Sequence, residues 1–311
     1  MVTTEPAALA RRLQSTPHPT GLKDSRGYRA FRVANATLLV LVMVVMLYPF
    51  VNILAQSFSG EAFINAGQVN LVPRGFNLET YQLVMSDRMF WTNYRNTVVY
   101  TVVATAISIV LTTTFAYAIS KRGLRGRNVF IAIAVFTMFF NGGLIPNYVL
   151  INALGFTNTI WAIVVPNAIS VFNLLVMKSF FENLPTELEE AAAIDGLSTY
   201  GTLLRIVLPL SKAVIATMVL FYAVFFWNSW FSAFLYLDRA ELFPVTMYLR
   251  NLIAGATTAT SVGGGSSENV TQIASNIQSV TMVLTVLPIV LLYPFVQKYF
   301  VSGVMLGAVK Q

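Results

Sequence analysis

The chain of 311 residues contains no cysteine, one histidine and few charged side chains. Without cysteine it can form no disulfide and offers no thiolate for catalysis or metal binding. The histidine, His18, lies in a polar, proline-flanked segment, which argues against histidine-based catalysis and histidine metal sites. The chain also lacks the GxxxxGK[ST] phosphate-binding loop. We therefore do not expect it to hydrolyse ATP or to be an enzyme.

Charged residues make up 11% of the chain, whereas about a quarter is usual for a soluble domain. Hydrophobic residues make up 56%, and the mean hydropathy is +0.67. This composition indicates an all-α polytopic membrane protein. The net charge of +7 would also suit a nucleic-acid partner, but its distribution along the chain favours membrane orientation instead.

The apolar segments predict six transmembrane helices, each about as long as the bilayer core requires. Residues 1–35 precede them as an N-terminal tail, of which residues 1–32 are expected to be polar and disordered and to end in a basic patch. Two long loops are expected over residues 56–93 and 237–275. The predicted spans are 36–55, 96–120, 129–150, 158–180, 210–236 and 277–297.

The positive charges favour one orientation of these spans. All but five of the 20 Lys and Arg residues fall on the side that holds both chain termini. Because Lys and Arg concentrate on the cytoplasmic side, both termini are predicted to be inside. The five on the outer side are Arg74, Arg88, Arg95, Arg239 and Arg250.

A polar segment over residues 184–209 lies between two apolar spans and is typical of two short helices joined at a bend. Pro185 suits the first helical position, and Glu187 and Glu189 favour the positive end of the helix dipole. These acids and Glu190 could be imagined as a metal site. With no histidine or cysteine nearby, we expect them to form a solvated or partner-facing surface.

The second half of this segment contains the signals of a bend and a new helix. Gly196 is placed to end the first helix, Ser198 to cap the second and Pro209 to end it. An amphipathic linker between membrane helices is the simplest interpretation of such a segment. The spacing of its residues supports a more specific one.

The segment resembles the EAA loop of ATP-binding-cassette (ABC) importer permeases. That resemblance implies a coupling helix that docks into a groove on a cytoplasmic ATPase subunit. Small alanines allow close approach, and the carboxylate of Glu190 suits a basic partner group. The matching positions are Glu190, Ala191, Ala192, Asp195, Gly196, Ile206, Leu208 and Pro209.

Four further motifs are similar to carbohydrate importer permeases, in particular the oligo- and polysaccharide branch with its maltose-, lipoprotein- and alginate-type members. They are Tyr48-Pro49-Phe50, Asn141-Gly142-Gly143-Leu144-Ile145-Pro146, Trp227-Asn228 and Phe243-Pro244.

The resemblance covers residues 36–311 and implies a six-helix type I importer permease domain. It also implies a second homologous permease, two ATPase subunits and an extracytoplasmic solute-binding protein. No cofactor is expected on this chain, since ATP and magnesium would bind the ATPase subunits.

Sugars are usually held by aromatic faces, amides and hydroxyls, and polar groups inside a membrane are functional candidates. Tyr and Trp near span ends are also common interface anchors, and Asn can join helices, so these structural roles remain open. The candidates for sugar contact are Tyr222, Trp227, Asn228, Trp230 and Asn141.

Two alternatives to a carbohydrate permease remain. One is a permease of the same fold for another solute, such as a polyamine or phosphate. The other is a stand-alone channel or intramembrane enzyme. An enzyme should show membrane-embedded acids or histidines, and the six predicted spans contain no Asp, Glu or His. A stand-alone carrier would not need the EAA loop.

Overall fold

The computed structural model describes residues 26–261, 276–292 and 294, and helices dominate this part of the chain. No β-strand occurs within these ranges. We number the helices in chain order. They are α1 (Arg26–Ser57), α2 (Glu61–Asn65), α3 (Glu79–Ser86), α4 (Arg88–Ser120), α5 (Arg127–Phe139), α6 (Leu144–Ala153), α7 (Trp161–Asn167, ending in a 3-10 turn), α8 (Val171–Glu182), α9 (Thr186–Ile194), α10 (Thr199–Leu210), α11 (Lys212–Trp227), α12 (Phe231–Tyr236), α13 (Val245–Ser261) and α14 (Asn276–Leu292).

The chain divides into two units, Met1–Asn52 and Ile53–Gln311. In the first unit the described residues belong to α1, an apolar helix with Pro49 inside it. The predicted disordered tail over 1–32 is wrong for residues 26–32, which are helical. Arg26, Arg29 and Arg32 recur at helical spacing, so the helix continues past the apolar span. Residues 1–25 lie outside the described residues.

In the second unit, α4 forms the centre and packs against α8 and α11. It is 33 residues long, about 50 Å. Small polar residues lie buried along it, and such residues let membrane helices approach closely. They are Thr97, Thr101, Thr105, Ser108, Thr112 and Thr113.

The two expected long loops both contain helices, which corrects the prediction. The first includes α2 and α3, and α4 begins at Arg88 rather than at residue 96. The Asp87 carboxylate accepts a hydrogen bond from the Met89 N–H at 2.8 Å and caps α4 there. The second loop contains α13, which begins at Val245. The backbone N–H of Val245 donates a hydrogen bond to Thr97 Oγ1 at 2.7 Å. Polar residues in both segments lower their mean hydropathy, so a scan for apolar spans does not detect these helices.

Three predicted spans are interrupted. Residues 129–150 form two helices, α5 and α6, at 116° to each other. Gly143 between them has φ +91°, and the Asn141 side chain accepts a hydrogen bond from its N–H. Helices α7 and α8 meet at 50°, just after Pro166. The fifth predicted span is divided into α11 and α12 by residues 228–230.

The number of spans stays a prediction. Among the described residues, α1 and α4 are by themselves long and apolar enough to cross a membrane. The count rises to five if each bent pair (α5 with α6, α7 with α8, α10 with α11) is one span. The shorter apolar helix α14 corresponds to the sixth predicted span, whose residues 293 and 295–297 lie outside the described residues.

Candidate functional site

The first helix of the polar segment, α9, ends in a complete glycine cap. Gly196 has φ +78°, as the bend prediction requires. Its N–H donates to the Ala193 carbonyl at 3.1 Å, and the Leu197 N–H donates to the Ala192 carbonyl at 2.9 Å. These two bonds define a Schellman motif, which satisfies the last carbonyls of α9 and reverses the chain. At the other end, Pro185 precedes the helix as its N-cap rather than occupying its first position.

The second helix, α10, is capped by Ser198, whose side chain accepts a hydrogen bond from the Gly201 N–H at 3.2 Å, as predicted. Pro209 marks the end of this helix as predicted, since it lies within the last turn and α10 ends at Leu210. A π-helical turn over Leu203–Val207 precedes it. Proline lacks an N–H and crowds the carbonyl four residues earlier, so the wider turn accommodates it. Beyond α10 the chain turns by 85° into α11.

This helical pair carries large apolar residues that are exposed. Ile194 is 87% exposed, Tyr200 75% and Leu204 62%. Glu190 lies four residues before Ile194 on the same face of α9, and its carboxylate is also exposed. We call these four residues the docking face. Ala191, Asp195 and Pro209 are exposed nearby, and Leu208 is half-buried.

The opposite side of α9 is attached to the rest of the molecule. Ala192 is buried, and Glu189 forms an ion pair with Lys121 at the end of α4. The Lys121 ammonium also lies 4.0 Å from the centre of the Tyr117 ring. Glu189 therefore faces inward, which corrects the expectation that all three acids face solvent or a partner. No sequence spacing relates residues 121 and 189, so this pair could not be predicted.

A second charged cluster lies close by in the sequence. Glu182 pairs with Arg127 and with Lys178, the latter at 2.9 Å. Burial alone would raise the pKa of Glu182, but the Lys178 hydrogen bond and the charges of Lys178 and Arg127 together lower it below its ordinary value. The carboxylate is therefore ionised at neutral pH, and its contribution to stability is lost only as acid protonates it. The spacing of Lys178 and Glu182, four residues apart, was a usable signal in the sequence.

Two of the predicted sugar contacts are internal hydrogen-bonding groups. The Tyr222 hydroxyl is 2.6 Å from Thr112 Oγ1 and accepts a hydrogen bond from the Ser170 N–H at 2.9 Å. It thus joins α11 to α4 and to the start of α8. The Trp227 indole N–H donates to the Thr285 carbonyl at 3.1 Å. Both side chains are buried, so their polar atoms serve helix packing here.

The other three candidates are exposed. Asn228 ends α11, and its amide donates to the Val224 carbonyl at 2.8 Å. Trp230 is 39% exposed and lies beside it in the chain. Asn141 belongs to the break between α5 and α6. Of the five, Asn228 and Trp230 share one segment, while Asn141 lies on another.

Two cavities adjoin α11. One, of about 730 Å³, has the polar residues Asn167, Ser170 and Asn173 in its wall, together with Tyr222. The other, of about 830 Å³, is mainly apolar, and its wall includes Thr101 and Thr105, whose buried hydroxyls have no hydrogen-bond partner. These polar residues were not predicted from the sequence, because the first three flank a proline break and the threonines lie inside an apolar run.

Within the described ranges, no group of three or more His, Asp or Glu side chains is arranged to hold a metal ion. What the site does contain is an exposed, partly apolar docking face at one end of α11 and cavities along that helix.

The chain is similar to known transport proteins along nearly its whole length. It is 40% identical over 290 residues to Protein LplC of Bacillus subtilis (strain 168), which corresponds to 93% of this chain and 98% of that protein. It is 35% identical over 289 residues to the polygalacturonan/rhamnogalacturonan transport system permease protein YtcP of the same organism, covering 91% and 99%. No protein-family model matches.

A solved structure has the same fold. It is the crystal structure of a bacterial ABC transporter involved in the import of the acidic polysaccharide alginate. One of its chains superposes with a TM-score of 0.81 and 33% identity, covering 91% of this chain and all of that one.

Proposed function

Because this chain belongs to the permease subunits of ABC sugar transport systems, we propose that it forms half of an import pathway for an oligosaccharide. A second homologous permease completes the pathway, two ATPase subunits drive it, and an extracytoplasmic solute-binding protein delivers the sugar. The chain itself is non-catalytic and binds no cofactor. It crosses a bacterial cytoplasmic membrane six times with both termini inside, an orientation that rests on the distribution of positive charge.

The observation that carries the coupling role is the docking face. Exposed apolar residues next to an unpaired carboxylate mark a surface built for a protein partner. Within the described residues, the Glu190 carboxylate has no hydrogen bond or ion pair, although the carboxylate of Glu189 beside it is paired. A basic groove on the ATPase would supply the missing partner for Glu190 and cover Ile194 and Tyr200.

Two connections lead from the docking face into the bundle. The first is the Lys121–Glu189 ion pair, which joins α9 to the end of α4. The second is the chain itself, which passes from α10 through the 85° turn into α11. Since α4 and α11 pack against each other and border a cavity, a movement of α9 imposed by the ATPase reaches the pathway through both.

Breaking the Lys121–Glu189 pair should weaken coupling without abolishing it. Both side chains are about 30% exposed, at 31% and 28%, and pairs of that kind contribute about 0.2–1 kcal/mol. Lys121→Ala or Glu189→Ala alone should therefore slow uptake by up to roughly fivefold at equal ATPase content. Lys121→Glu or Glu189→Lys alone should slow it further, because each places two like charges together. The double exchange, Lys121→Glu with Glu189→Lys, should restore most of the rate. No recovery in the double variant would rule out the pair as a connection.

The substrate we propose is an acidic oligosaccharide. The similar permease named above belongs to a polygalacturonan/rhamnogalacturonan transport system, and the similar structure to an importer of an acidic polysaccharide. Asn228, Trp230 and Asn141 offer exposed groups for sugar contact. Tyr222 and Trp227 support them by fixing α11 against its neighbours.

Reconstitution tests this function. The chain is purified with its second permease and ATPase subunits, placed in vesicles and supplied with the solute-binding protein. We expect labelled oligogalacturonate to enter only with ATP and only when this chain is present. Uptake without ATP would favour a stand-alone channel, and ATP-dependent uptake of a polyamine or phosphate alone would favour another solute.

A further inference from the structure

Helix α11 has one end near the docking face and one end remote from it. Near the remote end, Arg250 lies on an aromatic surface. The Arg250 guanidinium carbon is 4.2 Å from the centre of the Phe234 ring and 5.1 Å from that of Trp230. Phe231 packs edge-on against Trp230, with ring centres 5.5 Å apart. A guanidinium placed so close to aromatic faces is held by cation–π attraction, which leaves its N–H edge free to donate.

In the described part of the chain, no acidic side chain neutralises the charge of Arg250. Across residues 26–261 and 276–292, no carboxylate lies within ion-pair distance of its guanidinium. The side chain is half-buried, so it is partly withdrawn from water. A partly desolvated cation held flat, without an acid beside it, is suited to an anion from outside the chain, above all to a carboxylate bound by two parallel N–H bonds.

The aromatic rings are open to a ligand. Trp230, Phe231 and Phe234 are 39%, 47% and 44% exposed, and together they form a contiguous apolar surface. The C–H faces of pyranose rings stack on such surfaces. Thr246, four residues before Arg250 on α13, donates to the Ser229 carbonyl at 3.2 Å and fixes α13 against the segment that contains Asn228.

The position of this cluster suits entry of a sugar. The 16-residue helix α11 separates it from the turn into α10 by about 24 Å. If the docking face is cytoplasmic, the cluster lies at the outer end of the pathway.

We propose that Arg250, with Trp230, Phe231 and Phe234, binds a uronate residue of the incoming oligosaccharide, the guanidinium taking the carboxylate and the rings the sugar face. This inference rests on the proposed function and names the residues that select the substrate. The cluster favours acidic sugars over neutral ones. An anionic lipid phosphate would satisfy the same donors, so the test separates the two.

The test compares two sugars with the same backbone, one with ionised carboxylates and one with neutral methyl esters. Uptake of tetragalacturonate and of its fully methyl-esterified form is measured in vesicles that contain the complete transporter. Arg250→Ala should slow tetragalacturonate uptake at least about tenfold and leave the ester within about twofold of wild type. Arg250→Lys, which keeps the charge but loses the planar fork, should be intermediate. Arg239→Ala removes another predicted outer arginine and should change neither rate.

Because each variant is compared with wild type for the same sugar, the preference of the solute-binding protein cancels. The inference is overturned if Arg250→Ala slows uptake of both sugars equally, whether or not the size of that effect depends on the anionic lipid content of the vesicles. It is also overturned if Arg250→Ala slows uptake of neither sugar. Wild-type uptake of the ester alone also overturns it while leaving the importer function standing. Absence of ATP-dependent uptake of either sugar by the wild type contradicts the proposed function itself.

Discussion

Replacing Glu190 with lysine should abolish ATP-dependent uptake while the chain still inserts and assembles with its second permease. The Glu190 carboxylate is exposed on the docking face beside Ile194. Once the ATPase covers this face, a lysine there would be a buried charge facing the basic group that Glu190 is proposed to pair with. Removing one partner of a buried pair costs about 3–5 kcal/mol, which corresponds to a loss of over a hundredfold in coupling. Uptake and ATPase co-purification should both fall to background.

Glu187→Lys is the matched control. Glu187 is an exposed acid on α9, one turn earlier, and lies outside the EAA pattern. The same charge reversal there should leave at least about half of the uptake rate, since a charge near the start of a helix changes stability by only about 0.3–1 kcal/mol. If the two variants lose uptake equally, general electrostatic attraction rather than a specific contact holds the ATPase.

Replacing Gly196 with valine should uncouple the transporter through backbone strain alone. A Cβ atom at Gly196 would have no neighbour within 4 Å, so the residue meets no steric clash. Its φ of +78° is nevertheless a conformation that costs an L-residue about 1–2 kcal/mol, and a β-branched residue more. Loss of the Schellman motif would redirect α9 and with it the docking face. We expect uptake below about a tenth of wild type at normal chain abundance.

Gly196→Asn tests whether backbone strain, rather than any replacement of the glycine, causes the loss of uptake. Asparagine adopts positive φ more readily than other residues with a side chain, so this variant carries less strain than valine. It should retain most of the uptake. Equal activity of the valine and asparagine variants, whether high or low, would show that the left-handed conformation at this position does not govern coupling.

The sequence predicted the local features whose causes are local. Gly196 and Ser198 act as expected because a glycine cap and a serine cap depend on a few neighbouring residues. The break at Asn141–Gly143 was also visible as a motif, but its 116° angle was not, because the angle is set by packing of α5 and α6 against other helices. Composition alone was enough for the all-helical membrane class.

Contacts between distant residues were not predictable in the same way. Lys121 and Glu189 meet only because α4 and α9 end side by side, and Arg250 reaches Phe234 only because α13 packs near α12. Tyr222 was predicted as a sugar contact because aromatic rings and hydroxyls hold sugars and polar groups in a predicted span are functional candidates. The sequence did not indicate that its hydroxyl lies 2.6 Å from Thr112 Oγ1, on a helix 110 residues earlier in the chain.

Site-directed crosslinking tests the central claim most directly, since the chain has no cysteine and any introduced thiol is unique within it. Ala193 is small, exposed and adjacent to the docking face, so Ala193→Cys should tolerate a short thiol-reactive crosslinker. In the assembled transporter we expect it to capture the ATPase subunit in high yield. Asn77→Cys, in the first predicted outer loop, should not capture it. Two results would contradict the docking of α9 on the ATPase. One is capture of the ATPase by Asn77→Cys. The other is failure of both variants to capture it while uptake is normal.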